Sequence, residues 1–501
     1  MRSCFVEARC RRPSFPSPLS SQRGEGEPSP SPWRIVAFSA VLLLVLSSCA
    51  VGPNYQRPEL NVPGEFRGPP PAAKTNSLAE LPWWDVFKDP DLKRLIGQAL
   101  TNNFDLRIAI SRVEQAAAIA AQNRALFFPQ VNYAGEVARG KNATVASPTP
   151  IANGGVTGST ASISGSASWD IDLWGRLRRL NESARAQYLA SQQAQRAVAI
   201  SVISQVAQAY FRLLALDSQL AIARRSTNSF GESLRIFSQR LEQGVISKLE
   251  TSAAEAALAS AAATVPEIER QIVAQENLID VLLGQNPAAV ARHRSLDEEN
   301  LTLMIPPGLP SDLLRRRPDI LETEQFLVSA NAQVGVAVAN FFPQLTLTGL
   351  FGQVSPELSA FTAGGANAWG IAANLSGPLF QGGKLRGQYR QAKSAREESR
   401  LQYESTVLNA FQEVSNDLVS LQKLGEEREQ QARAVEAYRV AVQVSMERYV
   451  AGRASYYEVL QEQQQLFPAE NSLVQTQLNQ LLSYIQLYQG LGGGFGQEPA
   501  K

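Results

Sequence analysis

Few residues in this chain of 501 are of the types that make or break bonds, and their spacing argues against most bond chemistry. His293 is the single histidine, too few for a histidine triad or a His-ligated metal centre, and its Pro-rich surroundings mark an ordinary loop residue. The three cysteines stand at 4, 10 and 49, so the chain beyond position 49 holds neither a disulfide nor a Cys-based metal site. Gly382-Gly383-Lys384 falls where a phosphate loop would, between a strand-like and a helix-like stretch. Pro378, however, takes the place of the loop's first glycine, and Leu385 that of its Ser/Thr. Arg315-Arg316-Arg317 precedes Pro318 and reads as a helix end or a packed junction rather than a phosphate site. Glu458 and Glu462 lie four apart, on one face of a helix. No cofactor, no metal and no enzymatic activity are expected.

Cys49 is the thiol with a chemical context. Arg34 precedes an apolar run, Ile35 to Leu46, too short to span a membrane as a helix and suited to a signal-peptide core. Leu46-Ser47-Ser48-Cys49 then resembles the bacterial lipobox, which implies cleavage before Cys49, a diacylglycerol on its sulfur and an acyl group on its new amino terminus. Ala50 rather than Asp at the next position favours the outer membrane by the same resemblance. Residues 1–33 are rich in Pro, Ser and Arg and point to a biological start further downstream. Without residues 1–48, 41 basic and 43 acidic residues remain, so no basic excess supports nucleic-acid binding.

The elements come in two copies. Ala125-Leu126-Phe127-Phe128-Pro129-Gln130 returns as Ala339-Asn340-Phe341-Phe342-Pro343-Gln344, and Arg240-x3-Gly244-x2-Ser247-x2-Glu250 returns 208 residues later as Arg448-x3-Gly452-x2-Ser455-x2-Glu458. A repeat of this length exceeds any solenoid unit and indicates a duplicated half-structure. The expected organisation is a leader at 1–48, an extended anchored segment at 49–82, a first repeat at 83–283, an equatorial connector at 284–317, a second repeat at 318–489 and a tail at 490–501. Each repeat runs helix, β-hairpin (129–175 or 343–383), long helix, tip (243–247 or 451–455) and return helix. The long helices, Arg176 to Gln243 and Lys384 to Ala451, lack proline, and each would reach about 100 Å. Ala199, Val202, Val206, Ala209, Leu213, Leu216, Leu220 and Ala223 keep a 3-4 spacing, as do Val407, Phe411, Val414, Leu418 and Leu421, which is coiled-coil packing surface.

Between Ala161 and Leu173 the period changes to two. Ala161, Ile163, Gly165, Ala167, Trp169, Ile171 and Leu173 alternate with Ser162, Ser164, Ser166, Ser168, Asp170 and Asp172, the pattern of a strand with lipid on one side and water on the other. Partner strands are expected at 130–138, 344–351 and 369–380, with loops near 139–160 and 352–366. A four-stranded sheet in lipid leaves both edges unpaired and must close with other chains. Two chains would give eight strands and a filled interior; three would give twelve and a lumen, which the Ser/Asp face favours.

Taken in order, several motifs resemble the TolC superfamily of outer-membrane factors, in its NodT/OprM-like lipoprotein branch. They are Cys49-Ala50-Val51-Gly52-Pro53-Asn54-Tyr55, Trp83-Trp84-Asp85-Val86-Phe87, Asn103-Phe104-Asp105-Leu106, Leu309-Pro310-Ser311-Asp312-Leu313-Leu314-Arg315-Arg316-Arg317-Pro318-Asp319-Ile320, both Phe-Phe-Pro-Gln elements and Arg448-Tyr449-x2-Gly452. The resemblance implies a mostly α chain with a membrane β-barrel portion: a homotrimer whose twelve-stranded barrel continues into a coiled-coil helical tunnel. It implies a periplasmic adaptor and an inner-membrane pump of the resistance-nodulation-division type as partners, and export of drugs or other small toxic compounds. By the same resemblance the adaptor would contact the tips at Gly244, Val245, Ser247, Gly452, Arg453 and Ser455. Tyr449 and Glu250 match a tyrosine and a neighbouring hairpin's acid that hold the tunnel end closed. Glu458 matches one pore-constricting acid and Gln461 stands in place of a second, while Glu462 would restore an acidic throat. Ala454 replaces a basic lock residue, with Arg453 beside it. The alternatives are an outer-membrane duct of type I protein secretion and, in a different class, a secreted coiled-coil scaffold without a pore.

Overall fold

The computed structural model describes residues 50–67, 81–141, 157–299, 310–355 and 367–493, all of which fall in the unit Ala50–Lys501. The leader 1–48 and Cys49 lie outside the described residues, as do Leu309 and much of the two strand loops.

The first repeat opens with a short helix α1 (Trp83–Val86), then α2 (Pro90–Asn102) and α3 (Phe104–Ala125). Asp89 caps α2 by accepting the amide of Asp91, and Asn103 caps α3 by accepting that of Leu106, so a new helix starts directly after Asn103. Strands β1 (Gln130–Lys141) and β2 (Thr157–Ile171) lead to α4 (Arg176–Glu242) and the returning α5 (Lys248–Leu282). A 3₁₀ turn, Leu296–Glu298, and α6 (Pro310–Arg316) bridge to the second repeat. That repeat holds α7 (Pro318–Ala339), β3 (Gln344–Ser355), β4 (Asn367–Ser376), α8 (Lys384–Val450) and α9 (Tyr456–Gly490). Matching helices have equal lengths: 22 residues in α3 and α7, 67 in α4 and α8, 35 in α5 and α9.

Some boundaries differ from expectation. Helix α3 ends at Ala125, where Phe127 and Phe128 turn back to bond Arg124 and Ala125 before Pro129. Strands β1 and β3 run on to Lys141 and Ser355, held by the facing length of β2. Strand β4 ends at Ser376, short of Phe380, since Gly377 and Pro378 follow and proline has no amide to pair.

The core joins the repeats. Tyr210, Phe211 and Leu213 of α4 pack with Leu92 and Ile96 of α2, Tyr403 and Val414 of α8 and Tyr484 and Tyr488 of α9. The expected 3-4 stripe lines this core: Val202, Val206, Ala209 and Leu213 are buried, and Leu216 and Leu220 pack at its edge.

In each repeat the return helix and the leading helix meet end to end against the long helix. Asn103 at the start of α3 donates Nδ2 to the Leu282 carbonyl at the end of α5 (2.9 Å). Arg317 at the start of α7 donates Nη1 to the Gly490 carbonyl at the end of α9 (3.2 Å). Buried Arg317 is otherwise held by Asp319 (2.7 and 3.0 Å) and Glu413 (2.7 Å), so the arginine run ends in a packed junction. His293 lies in the connector, exposed, its Nδ1 2.8 Å from Asp91 Oδ2.

Residues 50–67 run along the helices as a strap. Val51 bonds the Trp174 carbonyl, Arg179 reaches the carbonyls of Val51 and Gly52, Arg57 pairs with Glu324, and Phe66 meets Phe411.

Candidate functional site

Two regions concentrate the residues singled out from the sequence. The first is the antiparallel sheet, in the order β1-β2-β3-β4. Its register places Val131, Ala167, Gly349 and Ile371 in one row across the strands, and Tyr133, Gly165, Phe351 and Trp369 in another. With Val137, Ile163, Trp169, Leu345, Leu347 and Leu375 these rows make one face predominantly apolar. The opposite face carries Gln130, Asn132, Glu136, Ser162, Ser164, Ser166, Ser168, Asp170, Thr346, Thr348, Asn374 and Ser376. The apolar side chains are not packed against this chain: Tyr133 is 91% exposed, Trp369 75% and Ile371 84%. Within the described residues β1 and β4 each have one neighbour, so both sheet edges are open.

The second region is the pair of helical tips. At the first, Gly244 adopts φ +69°, its amide bonds the Leu241 carbonyl (2.9 Å) and the Val245 amide bonds that of Arg240 (2.9 Å). This is the bond pattern of a Schellman end, which needs a left-handed residue and so suits glycine. The second tip repeats it with Gly452 at φ +69°, Gly452 bonded to Tyr449 and Arg453 to Arg448. Ser247 and Ser455 are extended and start the returning helices. Gly244, Val245, Ser247, Gly452, Arg453 and Ser455 are all exposed.

The tips differ in their acids. Glu250 accepts the Ser247 amide (2.6 Å) and completes a capping box. Glu458, at the equivalent position, instead pairs with Arg448 at 3.7 Å. Gln461 is exposed and Glu462 half-buried. Tyr449 and Glu250 are not bonded to each other within the chain: the Tyr449 hydroxyl is buried without a hydrogen-bond partner.

Tyr449 is held by residues that sequence reasoning did not single out. Arg240 lies over its ring, 4.2 Å from the centroid, and donates Nη2 to the carbonyls of Tyr449 (3.3 Å) and Val450 (3.2 Å), where cations favour a helix C-terminus. Phe237 inserts between Tyr449 (5.2 Å) and Tyr456 (4.0 Å), forming a small core shared by both hairpins. Burial, with Tyr449 beside it, pushes the Tyr456 hydroxyl up to about 12. Further from the tip, Gln463 donates to Ser229 (2.9 Å) and Ser233 (3.2 Å), and buried Glu470 accepts from Arg225 (3.3 Å) and Arg439 (2.8 Å). The available signal was the repeat itself, because Ser229, Ser233, Phe237, Gln463 and Glu470 each differ from the residue 208 positions away.

The sequence matches the model of the family described as outer membrane efflux protein over residues 95–285 and again over 309–493. The chain belongs to that family. The two matched segments follow the two structural repeats. Among relatives, the toluene efflux pump outer membrane protein TtgC of Pseudomonas putida is 34% identical over 464 residues, covering 92% of this chain and 95% of TtgC. The probable outer membrane lipoprotein SilC of Salmonella typhimurium is 30% identical, covering 92% of this chain and 99% of SilC. The MtrE outer membrane channel of Neisseria gonorrhoeae, solved in its open state, superposes with a TM-score of 0.81 at 27% identity, over 90% of this chain and 100% of MtrE. The fold is therefore that of TolC-like channels, and the protein is an outer-membrane efflux channel component.

Proposed function

We propose that three copies of this chain close a twelve-stranded barrel in the outer membrane and continue it as a helical tunnel, through which a tripartite system exports drugs or other small toxic compounds. The observation that carries the reading is the sheet: one apolar, exposed face, one polar face and two open edges. In lipid each unpaired edge group costs several kcal/mol, a penalty that closure with further chains removes. The polar face then lines water, and the duct performs no bond chemistry.

Cys49 would carry the diacylglycerol and N-acyl anchor, an assignment supported by its lipobox and by the lipoprotein name of SilC. The partners would be a periplasmic adaptor and an inner-membrane resistance-nodulation-division pump, with Gly244, Val245, Ser247, Gly452, Arg453 and Ser455 as adaptor contacts. Around a threefold axis Glu458 and Glu462, with Gln461 between them, would constrict the tunnel as an acidic throat that favours cations.

Expression in a host lacking its own outer-membrane efflux channel, together with a cognate adaptor and pump, tests the reading. Restored tolerance of the pump's substrates is expected, and a purified species that neither forms trimers nor conducts ions in a planar bilayer would reject it. The gate has its own test. Tyr449→Phe keeps the ring under Arg240, and Glu250→Gln retains a capping-box side chain, so the double variant removes little but the bond that a closed trimer would form between these two residue types. Single-channel conductance should rise; no change would remove Tyr449 and Glu250 from the gate.

A further inference from the structure

We propose that Arg139 and Lys141 form a cationic site on the lipid-facing side of the sheet that binds the phosphorylated sugar headgroup of a glycolipid in the outer leaflet. The inference rests on the barrel reading above, with the helices in the periplasm and the β1-β2 and β3-β4 loops outside the cell. Alternation along a strand decides which face a side chain joins. On β1, Val131, Tyr133 and Val137 share the apolar face, and Arg139 and Lys141 continue the same series, both exposed. The described strands carry four charged residues. Glu136 and Asp170 stand on the polar face, and the two bases are the only charges on the apolar one.

Their height follows from the register. On β2 the apolar face runs from Ile171, at the helical end, to Ala161. At about 3.4 Å per residue and a tilt of about 40°, that is about 26 Å, the height of an outer-membrane barrel's apolar band. Ala161 pairs with Val137, so Arg139, opposite Ser159, is the first residue past the band at the loop end, and Lys141 follows it. On β3 and β4 the same face turns polar at Gln353 and Asn367, which align with Ile163, further down β2 than Ser159. That offset is about 14 Å along the strands over about 14 Å of sheet width, the slant of a level line across strands tilted by about 45°. Arg139, Ser159, Gln353 and Asn367 therefore mark one boundary, at the depth of the outer headgroups. A charge on the lipid face is costly at mid-depth and nearly free there.

Neither base has an ion-pair partner among the described residues. The sequence offers few candidates nearby: residues 142–156 hold no charge, and residues 356–366 hold Glu357 alone. The two cations stand about 7 Å apart on one side of a strand, so an anion between them satisfies both. A phosphate monoester fits, accepting the Arg139 fork on two oxygens and Lys141 as a point charge. Directly below, Val137, Ile163 and Tyr133 offer apolar surface to the acyl chains of the same molecule. A charge site joined to a chain-binding surface favours a lipid phosphate over free phosphate.

The full-length protein, reconstituted in phosphatidylethanolamine vesicles carrying diphosphorylated lipid A, tests this. Lipid A retained after extraction in mild detergent is counted by native mass spectrometry over a series of lipid A contents. The parent should retain it. Arg139→Gln with Lys141→Gln should weaken binding about thirtyfold, and Arg139→Lys with Lys141→Arg should keep most of it. The parent should hold dephosphorylated lipid A as poorly as the Gln pair holds the phosphorylated form. Equal retention of the two forms by the parent, or unchanged retention by the Gln pair, would overturn the site. Equal retention of phosphatidylglycerol would overturn the glycolipid assignment, and displacement by inorganic phosphate would overturn the lipid as the source of the anion. A protein that does not float with the vesicles would instead overturn the barrel reading.

Discussion

Asp417 shows how one residue ties the helical junction to pH. It lies on α8 beside Glu413 and Arg317, where burial, then repulsion from Glu413, raise its carboxyl to about 7 against a partial opposing pull from Arg317. An aspartate raised in this way holds a proton in the folded state that the unfolded chain has released. Stability therefore falls as pH rises from the ordinary aspartate value, near 4, to about 7, and levels off above it. Asp417→Asn should flatten that dependence, so that unfolding midpoints measured at about pH 5 and pH 8 draw together relative to the parent. Arg317, with two carboxylates and the Gly490 carbonyl around it, is the residue whose loss would do most damage at the same junction. Arg317→Ala leaves Asp319 and Glu413 without their cation and the Gly490 carbonyl without its donor, and should cost about 1–3 kcal/mol in chemical denaturation.

At the scale of elements, the strap depends on one close approach. Gly52 has φ +94°, and a Cβ there would come within 2.5 Å of Gly335 Cα on α7. Gly52→Ala should lower stability by about 1–3 kcal/mol from backbone conformation alone, with the clash adding to it. Gly64→Ala, which meets nothing within 4 Å, should stay near the parent in the same melt. Much at this scale was legible in the sequence. The strict alternation from Ala161 marked β2, and the glycines at 175, 244, 383 and 452 bounded the long helices to within a residue or two. These features are local, set by a period or by a left-handed turn. The end-to-end meeting of Asn103 with Leu282, and the hold of Arg240 on Tyr449, join residues far apart in sequence, and no local pattern announces them. The tip acids fall between. Their positions followed from the repeat, but Glu250 turning to Ser247 and Glu458 to Arg448 is decided by packing.

For the whole molecule, the sorted faces of the sheet make a directional prediction. Ile371→Arg puts a charge on the apolar face of β4 and should destabilise the membrane-inserted form by about 2–4 kcal/mol if it lies at mid-depth. Asn374→Arg, on the opposite face of the same strand, should be tolerated in the same urea titration in lipid vesicles. The equality of the two repeats carries a consequence of another kind. Helices of 67 residues and returns of 35 occur in both halves, which keeps the two tips of a chain at one level. Each residue inserted into one long helix would displace its tip by about 1.5 Å along the axis and rotate it by about 100° relative to the other. Heritable changes of length in this chain are thus confined to matched events in four helices, in whole multiples of the heptad, while the loops beyond the strands remain free to vary.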